Sequence, residues 1–124
     1  MNNHIQAARC HRYAGLDENG KPLTEPEPLR NVLSLDEIPT PECGPESVLV
    51  TVNYVGVQYP DALQAQGLYQ EKPPLPYVPG MDLTGTVREV GENVEGLQVG
   101  DRVIAQVSTG ALAEVVRAEA PSVW

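Results

Sequence analysis

The sequence predicts a mainly β domain, folded as a barrel or a sandwich of short strands. Three observations lead to this prediction. Stretches rich in valine and threonine recur along the chain, glycines and prolines separate them, and only one segment has the signals of a helix. A length of 124 residues gives one domain, large enough to enclose a single hydrophobic core.

Three strands are predicted in the first half of the chain. The first is His4–Tyr13 and the second is Leu29–Ile38, with a polar excursion at Leu16–Pro28 that turns at Asn19–Gly20. The third, Ser47–Val57, is the strongest, because valines alternate along it and apolar residues occupy both of its faces near its end. We therefore expect this strand in the middle of a sheet.

One helix is predicted, at Pro60–Gln66. Proline favours the first helical position, Asp61 suits the positive end of the helix dipole, and Gly67 allows the left-handed backbone that ends a helix. The following stretch, Gly67–Gly80, contains four prolines, which favour an extended backbone.

Three further strands complete the predicted fold. They share β-branched residues and partial alternation, and they are Thr84–Val90, Arg102–Val107 and Ala111–Ala118. We expect bends or β-bulges at Gly85 and Gly91, because glycine inside a strand otherwise weakens pairing. The chain contains no phenylalanine, so valine, leucine, isoleucine and alanine must fill the core, with the five tyrosines at its edges.

The composition excludes several classes of function. The net charge of −9 disfavours nucleic acid, whose phosphates an acidic surface repels. No apolar run approaches the roughly 20 residues that span a bilayer, and the N-terminus lacks the pattern of a secretory signal. Cys10 and Cys43 lack the spacing of a metal or redox motif, so we expect reduced, structural cysteines and a cytoplasmic protein.

Four short motifs follow one another in a fixed order. They are GVQYPD at 56–61, GLY at 67–69, PLPYVPG at 74–80 and a Gly-Asp turn at 100–101. This set resembles the N-terminal domain of the medium-chain dehydrogenase/reductases, in their zinc-independent quinone oxidoreductase branch. The resemblance covers about Val48 to Val116, and it implies a GroES-like, partly open β-barrel with one short helix.

The resemblance also implies a chemistry, in which hydride passes from NADPH to a quinone or an activated alkene without a metal. Metal-binding relatives have cysteine at position 58 and a His-Glu pair at positions 81 and 82. Here those positions hold Gln58, Met81 and Asp82, of which glutamine and methionine are poor zinc ligands, so no metal site is expected.

Four residues are candidates for the site by the same resemblance. Quinone oxidoreductases have asparagine where this chain has Gln58, and that asparagine contacts the nicotinamide end of the cofactor. Gln58 and Asp61 are therefore candidate cofactor-binding residues, and Tyr59 and Tyr69 are candidate catalytic residues that orient or protonate a carbonyl oxygen. The alternatives are that Gln58 bonds local backbone, that Asp61 serves only the front of the helix, and that both tyrosines cap the barrel edge.

The chain has no GxGxxG phosphate loop, and the family binds NADPH mainly on a separate doubly wound domain. We therefore expect residues 1–124 to be the GroES-like domain alone, truncated before the nucleotide-binding domain and inactive in isolation. The alternative function is a non-catalytic module that docks to a full-length homologue. We also expect apolar residues such as Val57 and Leu63 to be exposed and to favour self-association or a homodimer.

Overall fold

The strands and helices follow the predicted order along the chain. In the computed structural model, which describes residues 3–124, the strands are β1 (His4–Cys10), β2 (Leu33–Pro39), β3 (Ser47–Gly56), β4 (Asp82–Val90), β5 (Arg102–Gln106) and β6 (Val115–Glu119). The α-helix is α1 (Tyr59–Gln66), and short 3-10 turns lie at Leu29–Asn31 and Ala120–Ser122. The mainly β prediction and the predicted helix are confirmed.

All neighbouring strands run antiparallel and form a partly open barrel. β1 pairs with β2, and a four-stranded sheet has the order β5-β4-β3-β6. Backbone bonds from Ala8 to Leu112 and from Glu114 to Gln6 join β1 to the segment before β6. β3 lies between β4 and β6, which confirms its predicted central position. The described residues contain no doubly wound parallel sheet.

Small aliphatic side chains fill the main core, which is formed by the four-stranded sheet and the segments that adjoin it. Its fully buried members are chiefly valines and alanines, joined by one leucine, and they include Val48, Val50, Leu83, Val87, Ala105 and Ala118. A smaller cluster lies beneath α1 and contains Cys10, Ala14, Val32, Ala65 and Tyr77. The expectation that every tyrosine lies at an edge is wrong for Tyr77, which is 6 % exposed because its backbone pairs with that of Cys10.

Two predicted strands begin later than expected. The second begins at Leu33, because residues Leu29–Asn31 form a 3-10 turn directly after Pro28. The last begins at Val115, because the chain turns at Gly110, whose φ is +114°, and Ala113 N–H bonds back to the carbonyl of Ala111. Local alternation predicted these strands correctly but did not reveal the turns that shorten them.

A β-bulge in β3 lies opposite a glycine of β4. The register shifts between Val52 and Tyr54, where Val52 pairs with Gly85 and Tyr54 pairs with Thr84. A Cβ atom on Gly85 would lie 2.3 Å from the carbonyl oxygen of Thr51, a distance that real Cβ atoms do not show. The predicted bulge is confirmed, and glycine is required there because the neighbouring backbone approaches so closely.

A cluster of polar side chains joins the exposed face of β1 to that of β2. Arg9 Nε donates to Asp36 Oδ2 at 2.8 Å, and Ser34 Oγ donates to Asp36 Oδ1 at 2.8 Å. His11 Nε2 lies 2.7 Å from Ser34 Oγ and 2.8 Å from Asp36 Oδ2. A catalytic triad needs one ring nitrogen for serine and the other for the carboxylate. Here the same nitrogen of His11, Nε2, contacts both Ser34 and Asp36, so the cluster is not arranged as a triad.

This cluster predicts an acid-dependent loss of stability in the β1–β2 pair. The Arg9 guanidinium, the Ser34 hydroxyl and His11 together hold the pKa of Asp36 at about 2, below its ordinary value of 3.8. A carboxylate whose pKa is lower in the folded state stabilises the fold above its unfolded pKa. We therefore expect the protection of amides in β1 and β2, measured by hydrogen exchange relative to the intrinsic rate at each pH, to fall as the pH decreases from about 4 to about 2. Asp36→Asn should remove this pH dependence; an unchanged pH profile in that variant would contradict the assignment.

Candidate functional site

The candidate site is built at the start of α1, where the chain leaves β3. Gln58 has an extended backbone (φ −123°, ψ 168°) and precedes the helix as its N-cap residue. Its backbone N–H donates to Asp61 Oδ2 at 2.8 Å. Asp61 is only 5 % exposed, so its carboxylate lies under the first turn rather than at the surface. The helix ends at Gly67, whose φ of +78° is the left-handed conformation expected from the sequence.

The side chain of Gln58 binds the carboxylate of Asp82. Gln58 Nε2 donates to Asp82 Oδ2, and Gln106 Nε2 donates to Asp82 Oδ1 at 3.1 Å. The first residue of β4 therefore links the start of α1 to the end of β5. No local pattern in the sequence predicts this role of Asp82. Only the sheet register places the three side chains together, because Asp82 pairs with Gly56 on one side and with Gln106 on the other.

The two candidate catalytic tyrosines lie at opposite ends of α1. Tyr59 is in the first turn and 73 % exposed, next to the exposed Val57. Tyr69 is half-buried and follows the end of the helix. Because a helix rises about 1.5 Å per residue, the eight residues of α1 separate its two ends by roughly 12 Å. The structure therefore brings Gln58, Tyr59 and Asp61 together in one turn and places the backbone of Tyr69 apart from them.

Buried polar groups lie beneath the same helix and are not exposed for chemistry. Gln64 is fully buried, as is the thiol-bearing Cys10. Burial raises the pKa of Cys10 above its ordinary value, so this cysteine stays a neutral thiol. Burial also raises the pKa of Tyr77, and the neighbouring Cys10 adds to that increase. Both cysteines are free.

The residues at the site can be tested against a metal and against a nicotinamide cofactor. Within residues 3–124, no three His, Cys, Asp or Glu side chains are grouped so that they can hold a metal ion. Near Gln58 the charged oxygen donors come from Asp82, which two amides already bind, and from the buried Asp61, whose Oδ2 accepts from the Gln58 N–H. A primary amide has two N–H donors and a carbonyl, so Gln58 keeps hydrogen-bonding capacity beyond its bond with Asp82. The amide therefore fits an edge contact with a carboxamide or a hydroxyl, while zinc does not fit this donor set.

The fold and the site together define a β-barrel domain that presents an amide and an aromatic side chain where α1, the only α-helix of residues 3–124, begins. Residues 44–123 match the alcohol dehydrogenase GroES-like domain family, and the chain belongs to this family. Its relatives make it the N-terminal, GroES-like type of domain of the medium-chain dehydrogenase/reductases, in the quinone oxidoreductase branch. The family predicted from the motifs is thereby confirmed.

Three known proteins illustrate the similarity. Quinone oxidoreductase-like protein 2 of Mus musculus is 41 % identical over 96 residues, which are 77 % of this chain and 27 % of that protein. Acryloyl-coenzyme A reductase of Sulfurisphaera tokodaii is 38 % identical over 85 residues, which are 68 % of this chain and 25 % of that protein. The crystal structure of Escherichia coli quinone oxidoreductase complexed with NADPH has a TM-score of 0.79 at 25 % identity, over 96 % of this chain and 32 % of that chain. The chain thus spans about a quarter of the length of the two curated relatives.

Replacing Asp61 separates its structural contribution from any contact with a cofactor. Asp61→Ala removes the acceptor for the Gln58 N–H, and we expect it to lower the free energy of unfolding by about 1 kcal/mol. Asp61→Asn keeps an acceptor oxygen in place and should lower it by less than the alanine variant does. Urea titrations followed by circular dichroism measure both values. Equal losses in the two variants would show that the hydrogen bond to Gln58 does not carry the effect.

Proposed function

We propose that this domain forms the substrate-side wall of a zinc-independent reductase that transfers hydride from NADPH to a quinone or an activated alkene. The observation that carries the proposal is the bond between Gln58 and Asp82, two positions where metal-binding relatives have zinc-site residues. Because the amide and the carboxylate bind each other, their exposed polar edge needs no metal ion to hold it together. Support for the acceptor class comes from the relatives, one named for quinone and one for acryloyl-coenzyme A.

The residues of this chain have distinct parts in the proposed reaction. When bound, NADPH supplies the hydride. The Gln58 amide hydrogen-bonds the carboxamide or a ribose hydroxyl at the nicotinamide end, and Asp61 supports it from below through the backbone of Gln58. The exposed ring of Tyr59 stacks on a flat acceptor, and a phenol of Tyr59 or Tyr69 donates a hydrogen bond to its carbonyl oxygen.

The main binding surface for NADPH lies, in this proposal, on a doubly wound domain outside the 124 residues, and the chain is inactive alone. The free cysteines suit a reducing, cytoplasmic setting. The described part of the chain has no helix of the length and apolarity that crossing a membrane requires.

The proposal is tested by joining this chain to the nucleotide-binding domain of a relative, such as the Mus musculus protein that is 41 % identical to it. We expect the fusion to oxidise NADPH when a quinone is added, followed by the loss of absorbance of the reduced cofactor. The isolated chain and the isolated nucleotide domain are the controls, and neither should turn over. A folded fusion that oxidises no NADPH with any quinone or enone would count against the proposal.

A second candidate function is a binding module that docks to a full-length homologue. The observation that favours it is an open groove on the outer face of the sheet, lined by Tyr54, Ile104 and Trp124 among others. These three apolar side chains are exposed, as is Val57 near the helix. Gel filtration of a mixture with a full-length relative tests this function, and separate elution at micromolar concentration would end it. A concentration-independent monomer mass in the same experiment would also exclude the expected homodimer.

A further inference from the structure

The carboxylate of Asp82 is held on both of its oxygens by amides from two other elements. Gln58 Nε2 binds Oδ2 and Gln106 Nε2 binds Oδ1. A carboxylate bound at one oxygen can still turn about its last bond, whereas two amides on opposite oxygens fix its plane. The amide of Gln58 therefore meets an acceptor whose position is set by β4 and β5 rather than by the helix.

The lengths of the two side chains decide whether the amide of Gln58 can reach the carboxylate of Asp82. Glutamine has a two-methylene stem and aspartate a one-methylene stem, and together they span the gap between the end of β3 and the start of β4. Gly56 lies opposite Asp82 in the register, and a Cβ atom there would lie 3.9 Å from the Cβ of Asp82. No side chain at position 56 therefore stands between the two. Shortening Gln58 to asparagine would draw its amide back by roughly one carbon–carbon bond, about 1.5 Å, which breaks the bond with Asp82.

We propose that Asp82 is a positioning residue that sets the reach and orientation of the Gln58 amide, and that Gln106 holds Asp82 in place for this purpose. The consequence for catalysis rests on the proposed function, in which Gln58 contacts the cofactor. The geometric part concerns this chain alone and is tested on it. The double variant Q58N/D82E moves one methylene group from residue 58 to residue 82. It should preserve the combined length of the two side chains and restore the bond that either single change breaks.

Nuclear magnetic resonance of the 15N-labelled chain tests the positioning directly, through the side-chain NH₂ signals of glutamine and asparagine. Asp82→Asn keeps the shape of the side chain but not its charge, and it should shift the NH₂ signals of both Gln58 and Gln106. In Q58N and D82E alone, the NH₂ signal of residue 58 should move to the position typical of a solvent-exposed amide. In Q58N/D82E it should return to a bonded position. The matched control is Q98N, the same change at an exposed glutamine, which should leave the signals of Gln58 and Gln106 in place.

Each outcome decides the proposal. The backbone spectrum reports whether a variant is folded. If an Asp82 variant does not fold, Q106A is used in its place, and we expect the same shift of the Gln58 NH₂ signal. The proposal is overturned if Gln58 is unaffected by D82N and by Q106A, or if the double variant resembles the single ones. In the fusion enzyme, D82N and Q106A should each lower kcat/KM for NADPH by about 10- to 100-fold, because the Gln58 amide loses its acceptor or the support of that acceptor. An inactive wild-type fusion would refute the proposed function, whereas the resonance experiment would still decide the positioning of Gln58.

Discussion

Gly85→Ala should lower the free energy of unfolding by about 3 kcal/mol or more, because the added methyl group has no space in the barrel. Its Cβ would lie 2.3 Å from the carbonyl oxygen of Thr51 and 2.6 Å from a methyl carbon of Val50. The Thr51 oxygen belongs to the backbone of the central strand, so relief requires β3 and β4 to separate and breaks the pairing that surrounds the core. Overpacking that moves backbone costs more than overpacking that moves a side chain.

Gly56→Ala is the matched control for this prediction. Gly56 also lies in a paired strand with no positive φ, and the nearest atom to its added Cβ is 3.9 Å away. We expect that variant to change stability by less than about 1 kcal/mol, with a gain where the loss of unfolded-state freedom dominates. Denaturant titrations of both variants measure the difference. Similar stabilities for the two would show that β3 and β4 separate at little cost, contrary to the packing described here.

Gln58→Ala should lower kcat/KM for NADPH in the fusion enzyme by about 100-fold. The alanine removes the amide that meets the nicotinamide end in the proposed reaction, and it also frees Asp82 from one of its two partners. Because the side chain of Gln58 is exposed but hydrogen-bonded at the N-cap of α1, the same change should lower the free energy of unfolding by no more than about 1 kcal/mol. A large kinetic effect with a small effect on stability is the expected result.

Two measurements keep this prediction separate from general damage to the protein. Gln98→Ala, at an exposed glutamine in a loop far along the chain, should leave kcat/KM unchanged within about twofold. Thermal unfolding of each fusion reports whether the barrel is intact. If Gln58→Ala retains more than a third of the wild-type kcat/KM, Gln58 serves the local structure alone.

Elements with local signals could be predicted from the sequence. α1 is such a case, because proline, aspartate and glycine define its two ends within a few residues. β3 is another, because alternation and valine content identify it without knowledge of its neighbours. The irregularity at Gly85 could also be predicted locally, because glycine inside an alternating strand indicates a bulge or a close approach of another backbone. In each case a short stretch of sequence contains the physical cause.

Features that depend on distant contacts could not be predicted in this way. Tyr77 is buried because its backbone pairs with that of Cys10, a residue of β1 that lies 67 positions earlier in the chain. Asp82 binds Gln58 and Gln106 because of the register of three elements, and no local pattern contains that register. The resemblance pointed to both ends of α1, with Tyr59 and Tyr69 on either side of the helix, and the structure places these residues at its two ends. The contacts of Asp82 show that sequence separation is a poor guide to which side chains lie together.

The bulge in β3 has an effect on which aromatic surface the barrel displays. Along an unbroken strand, Val48, Val50, Val52 and residue 54 would all face inward. The additional residue, Asn53, inverts that order, so Val55 packs against the core and the ring of Tyr54 is 79 % exposed beside the open groove. Regular alternation through all of these residues, with Asn53 kept and the bulge lost, would exchange the two side chains, placing a phenol among aliphatic groups and a valine in water. The bulge thus decides whether this face of the domain offers an aromatic ring to its surroundings.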